Sequence, residues 1–184
     1  RKANANLGMA CLAQKKWIQG WAGYAHILGL DNRKIVQFAD EGQWDGTKGQ
    51  SIVIYGEQGL GDEICFASMF PDAIKDSRRV VIECDPKLRG LFARSFPQAK
   101  VYGTRWLKSP VWEKEDTTPD ASISSGALGG LYRTKTEHFP GTPYLVADPE
   151  KVLMWKALWA SKGKKAIGVA WTGGVQWTAK KFRT

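Results

Sequence analysis

The residues whose types could do chemistry crowd into one stretch, Tyr55-Gly56-Glu57-Gln58-Gly59-Leu60-Gly61-Asp62-Glu63. Three carboxylates are threaded through three glycines. Glycine lets a backbone turn sharply and lets a ligand approach the peptide groups closely, which makes Gly59 and Gly61 candidates for ligand contact. The apolar run Ile64-Cys65-Phe66-Ala67-Ser68-Met69-Phe70 that follows predicts a helix. A helix start presents unpaired N–H groups and a partial positive charge to whatever lies in front of it. The competing reading needs no ligand: a tight strand-to-helix turn in which Asp62 serves as the helix cap. The spacing is G-x-x-G-x-G rather than the dinucleotide fingerprint, and no P-loop lysine follows it.

The surrounding elements determine where such a loop would point. Ser51-Ile52-Val53-Ile54-Tyr55 is a short continuous apolar run, the pattern of a strand buried on both faces. Further strands are expected at Arg79–Cys84, Lys100–Tyr102 and Asp120–Ser124, with helices around Pro86–Ser95 and Ser125–Tyr132. Strands alternating with helices imply an α/β lobe with a parallel sheet, and ligands of such sheets collect at the carboxyl ends of the strands. Ahead of the lobe, Leu7 to Leu30 carries Leu7, Cys11, Leu12, Trp17, Trp21, Tyr24, Ile27 and Leu28 at helical spacing, with Lys15-Lys16 at the bend of a hairpin. The expected organisation is a helical hairpin over 1–40, a polar glycine-punctuated linker over 41–50, and the lobe over 51–148. A last helix, Pro149–Ser161, and a further buried strand, Ala166–Trp171, occupy 149–184. Trp17 and Trp21, like Trp155 and Trp159, fall four residues apart, a spacing that predicts core packing.

Several of these pieces also carry a resemblance. Leu7-Gly8, Cys11, Gly20 and Tyr24 resemble the last unit of a tetratricopeptide array, in which a small residue at Gly20 lets two helices approach and Tyr24 fills the groove. Glu57-Gln58-Gly59-Leu60-Gly61-Asp62 ahead of an apolar helix resembles the signature of tetratricopeptide-linked proteins related to the heptosyltransferases, glycosyltransferase family nine. Gly42-x-Trp44-x-Gly46, Pro143-Tyr144-Leu145 and Gly168-Val169-Ala170-Trp171-Thr172-Gly173 match in order. The resemblance implies a Rossmann-like acceptor-side lobe of the two-lobed GT-B architecture, followed by the start of a donor-binding lobe. It implies inverting transfer of a sugar from a nucleotide diphosphate donor to a hydroxyl, without a metal or other cofactor. By motif position the general base falls on Asp62, with Glu57 as second choice. Glu63, about 100° further round the helix, ranks below both. A carboxylate at a helix start stays ionised but is a weaker base, so part of its role would be electrostatic. Thr172, Lys180, Lys181 and Arg183 lie where the family grips the donor diphosphate, Arg by paired contacts and Lys as a point charge.

Composition sets the outer bounds. A chain of 184 residues, 43% hydrophobic and 24% charged, suits one globular domain with a small appendage. No apolar stretch reaches the length of a membrane span. Neither terminus reads as a natural end, so the chain reads as the interior of a longer protein. Cys11, Cys65 and Cys84 fit neither a disulfide framework nor a metal site, and read as reduced, buried thiols of a cytoplasmic protein. His26 and His138 lack neighbours at ligand spacing. Of the net charge of +9, eight basic residues after Glu150, with no acidic one, supply all but +1. A phosphate-bearing ligand fits that excess and so does nucleic acid, while a solvated basic helix face and tail accounts for it as well as both together. Trp106 and Trp112, in a charged loop, could stack on a sugar or a partner. Two non-catalytic outcomes stay open: a protein-binding module formed by hairpin and lobe, and nucleic-acid binding through the basic C-terminal segment; an orphaned Ala166–Trp171 strand would in addition favour self-association.

Overall fold

The computed structural model describes residues 1–30, 42–105, 107, 118–163, 165 and 167–169. Residues 1–147 form one compact unit and 148–184 a second. The first opens with α1 (Lys2–Ala13) and α2 (Trp17–Tyr24), extended by a 3-10 turn at Ala25–Ile27. The bend falls where the lysine pair predicts it, with Lys15 in the left-handed region at φ 60°. The helices meet through glycine. A Cβ on Gly8 would lie 2.5 Å from the Gly23 carbonyl carbon, while Gly20 faces Leu12. The expected small residue at Gly20 is there, but the closest backbone approach belongs to Gly8 and Gly23. Leu7, expected on the packed face, is 64% exposed.

Four parallel strands follow: β1 (Ser51–Tyr55), β2 (Arg79–Glu83), β3 (Lys100–Tyr102) and β4 (Ala121–Ser124). Their order is β3-β2-β1-β4, with Tyr55 opposite both Glu83 and Ser124. The α/β class read from the alternating pattern is therefore present. Between β1 and β2 the chain makes α3 (Leu60–Phe66), a 3-10 turn and α4 (Phe70–Asp76); α5 (Arg89–Ser95) precedes β3 and α6 (Leu128–Tyr132) follows β4. Ile52, Val53 and Ile54 are wholly buried, as a run apolar on both faces requires. On one face Ile52, Ile54, Val80, Ile82 and Ile123 meet Phe70, Phe92 and Phe96, whose rings lie 5.3 to 5.8 Å apart. Burying one such side chain contributes about 2 kcal/mol.

The stretch read as a linker takes part in the sheet. Gln43 bridges Ser122 in parallel, Trp44 N–H donates to the Ser122 carbonyl at 2.8 Å, and the Trp44 ring is buried. Gly42 and Gly46, with φ of 86° and 96°, supply the left-handed turns around it. A tripeptide that pairs on one side only is too short to read as a strand from its pattern.

The second unit contributes α7 (Pro149–Ala160), capped by Asp148, whose carboxylate accepts from the N–H groups of Glu150 and Lys151. Its tryptophans do not enter a core: Trp155 and Trp159 stack on each other at 6.0 Å and stay about half exposed. Of the expected strand Ala166–Trp171, Ile167, Gly168 and Val169 carry no strand pairing, and Ile167 is 85% exposed. Ala166, Ala170 and Trp171 lie outside the described residues, as do Trp106 and Trp112. Among the described residues no helix is long and apolar enough to cross a membrane.

Candidate functional site

Because β1 pairs with β2 on one side and β4 on the other, the connections leaving its two neighbours run in opposite directions. In parallel sheets such a reversal marks the usual ligand position, at the carboxyl end of the strand where it occurs. The glycine loop 56–61 fills this place. Its three carboxylates separate into three environments.

Glu57 turns inward toward the turn after β4. It is 3% exposed, and its Oε1 accepts from Gly126 N–H at 2.7 Å and from the Tyr24 hydroxyl at 3.3 Å. Gly126 opens the turn after β4, and a Cβ there would lie 2.6 Å from the Tyr24 hydroxyl oxygen. Gln58 Nε2 donates to that same hydroxyl. The second-choice base is thus a structural joint that ties β1, β4 and the hairpin together. A carboxylate enclosed by its own protein has no open side for a substrate hydroxyl.

Glu63, ranked lowest from the sequence, is the most deeply engaged. It is 1% exposed; Oε2 accepts from Asp85 N–H at 3.0 Å and Oε1 pairs with the Arg105 guanidinium. Gly56 has to be glycine here, since a Cβ would lie 2.5 Å from the Glu63 carboxyl carbon. Burial pushes the Glu63 carboxyl up, against the pull of Asp85 N–H and Arg105. The neighbouring Cys84 thiol is pushed up to about 12, first by burial and then by the charge of Glu63, and so stays protonated. Glu63 has no charged residue three or four positions along the helix. An acidic residue leading an apolar helix without a local partner is the sequence signal that points to a distant one.

Asp62 is the exposed member. Gly59, extended at φ −78° and ψ 171°, is the N-cap of α3, and Asp62 Oδ2 reaches back to accept from Gly59 N–H at 3.0 Å. The N-cap is therefore Gly59 and not Asp62, which caps the helix from its third position and keeps its side chain exposed. The helix begins at Leu60, four residues before the apolar run, because that bond supplies a partner for the first orphaned N–H. Beside Asp62 a cleft of about 300 Å³ lies between α3 and the hairpin, with Lys2, Asn6, Met9, Gln58 and Phe66 on its walls. Gly59 and Gly61 are exposed but are not among the residues that line it.

Thr172, Lys180, Lys181 and Arg183, expected at the donor diphosphate, lie outside the described residues. Cys65, expected buried, is exposed, whereas Cys84 is buried and Cys11 lies between; all three are free thiols. Cys65 faces outward because the inner side of α3 is taken by Glu63 and, nearly a full turn on, by Phe66 against Tyr24.

No protein-family model matches the chain, and no solved structure matches it. It is similar to Protein FlbA of Caulobacter vibrioides, 29% identical over 83% of this chain. The chain spans 28% of that relative's length.

Proposed function

We propose that the chain forms the acceptor-side lobe of an inverting glycosyltransferase of the GT-B kind, preceded by a tetratricopeptide-type hairpin. In this reading the sheet order β3-β2-β1-β4 is the Rossmann-like half that such a lobe requires. The observation that carries the proposal is the exposed Asp62 carboxylate, held at the carboxyl end of β1 beside an open cleft. The two other carboxylates of the loop are enclosed by their own protein, which leaves Asp62 to meet a substrate.

The reaction then runs as a single displacement. The acceptor hydroxyl oxygen attacks the anomeric carbon from the face opposite the nucleotide diphosphate, and its proton passes to the Asp62 carboxylate. The new carbon–oxygen bond forms as the sugar–phosphate bond breaks. The bonding pair leaves with the diphosphate, and the configuration inverts. Lys180, Lys181 and Arg183, with Thr172, would meet the growing charge on the diphosphate. The free thiols suit a cytoplasmic setting, where such groups stay reduced.

Asp62→Asn tests the assignment, because an amide oxygen can still accept from Gly59 N–H and keep the cap. In the intact protein, transfer from nucleotide sugars should fall by about 100-fold or more at unchanged thermal stability. Undiminished turnover in this variant would remove Asp62 from the chemistry. Failure of the wild-type protein to bind any of the uridine, guanosine and adenosine diphosphate sugars would remove the transferase reading.

One observation favours a second reading, a non-catalytic protein-binding module. The hairpin carries Leu7, Met9 and Ile18 exposed, and each is at least half accessible. Loss of a protein partner on replacing these three, with no effect of Asp62→Asn on the same assay, would favour it.

A further inference from the structure

The cleft beside Asp62 has an unexpected second wall. Lys2, Asn6 and Met9 come from α1, while Gln58, Asp62 and Phe66 come from the glycine loop and α3. The two walls are held in register from beneath. Tyr24 at the end of α2 donates to Glu57 and accepts from Gln58, and its ring meets Phe66 edge-on at 5.8 Å. The hairpin is thus joined to the very loop that carries Asp62, and the space between them is part of the fold.

The chemistry of the walls selects a class of ligand. One ammonium group and one carboxylate give no net charge, so neither an anion nor a cation is favoured as a whole. Two side-chain amides line it: that of Asn6, exposed on α1, carries donors and an acceptor that match hydroxyl groups able both to give and to receive, while that of Gln58 is already tied to the Tyr24 hydroxyl. Met9 and Phe66 supply an apolar strip between these groups. A cleft of about 300 Å³ is at the small end of ligand sites. A ring with hydroxyls on its rim and C–H bonds on its faces satisfies all of these at once.

We infer that this cleft is the subsite for a neutral pyranose ring of the acceptor, formed jointly by the hairpin and the glycine loop. The inference rests on the transferase reading for the direction of transfer and adds the substrate class and the part played by α1. The hairpin then chooses the acceptor, and Asp62 alone acts on the hydroxyl.

The test uses the intact protein labelled with 15N, titrated with methyl β-glucopyranoside, methyl β-galactopyranoside and N-acetylglucosamine at millimolar concentration, with glycerol as an acyclic control. The side-chain amide signals of Asn6 and Gln58 should shift and saturate with at least one ring sugar and not with glycerol. Asn6→Ala, and separately Lys2→Ala, should weaken that binding by about five- to tenfold, the worth of one or two hydrogen bonds. Both positions are exposed on α1, so loss of folding does not confuse the result. No shift with any ring sugar, or shifts that Asn6→Ala leaves unchanged, would overturn the inference. Saturable, Asn6-dependent sugar binding in a protein that transfers nothing from any nucleotide sugar would keep the subsite and defeat the transferase reading.

Discussion

Two pairs of tryptophans, each four residues apart on a helix, end in opposite situations. Trp17 and Trp21 on α2 are drawn onto the lobe. Trp21 donates to the Arg133 carbonyl at 2.8 Å, and its ring lies against Gly129, where a Cβ would lie 2.5 Å away. Trp17 donates to Thr136 at 3.1 Å and packs on Phe139 at 4.5 Å. On α7, Trp155 and Trp159 stack on each other and stay about half exposed. The spacing is the same, so the spacing does not decide burial. What decides it is whether the facing element has given up its side chains. Gly129 leaves room for an indole, and the backbone carbonyl of Arg133 offers its N–H a partner.

The sharpest way to break this comparison is Trp21→Ala. Removing the half-buried ring and stranding the Arg133 carbonyl should lower the unfolding free energy by about 3 kcal/mol, read as a fall in the urea midpoint at constant slope. A change below a third of that would mean the hairpin is held by something other than the indole. Next comes Gly8→Ala, where the new methyl meets the Gly23 backbone instead of a side chain that could swing aside. Helix propensity alone would make the alanine stabilising by about 1 kcal/mol. We expect a net loss of about 2 kcal/mol instead, and a stabilised variant would refute the close approach. Tyr24→Phe keeps the ring and removes only the hydroxyl shared by Glu57 and Gln58. About 1 kcal/mol should go, and the loop amides of Gln58 and Gly59 should exchange hydrogen faster. Smallest of all is the double replacement Trp155→Ala with Trp159→Ala, expected within about 0.5 kcal/mol of the parent. The same variant should show a smaller iodide-quenchable share of the tryptophan emission than the parent. A loss of stability matching that of Trp21→Ala would show that α7 is covered.

Much of the lobe is legible in the sequence. The strands are legible because burial on both faces leaves an unbroken apolar run, and Ile52-Val53-Ile54 is one. The glycine loop was legible by type and place. Which of its carboxylates faces outward was not, because that is decided by partners far along the chain. Arg105 and Asp85 N–H claim Glu63, and Gly126 N–H with Tyr24 claims Glu57. The hairpin was legible from its helical rhythm, but its contact was assigned to Gly20 while Gly8 and Gly23 make the nearer approach. Every glycine looks alike to a pattern, and only the crossing point of the two axes singles one out. Trp155 and Trp159 misled for the complementary reason: an apolar stripe states what a helix could bury, and says nothing about a receiving surface.

The position of β1 between β2 and β4 has a consequence for how the protein is made. Its first neighbour arrives within 30 residues, whereas Ala121–Ser124 leaves the ribosome only after a further 40 or so. Throughout that interval the most apolar strand of the lobe has one row of peptide groups unpaired, an invitation to neighbouring nascent chains. Stalling translation between the two events should yield an aggregation-prone chain that binds chaperones, and release past Ser124 should end that vulnerability.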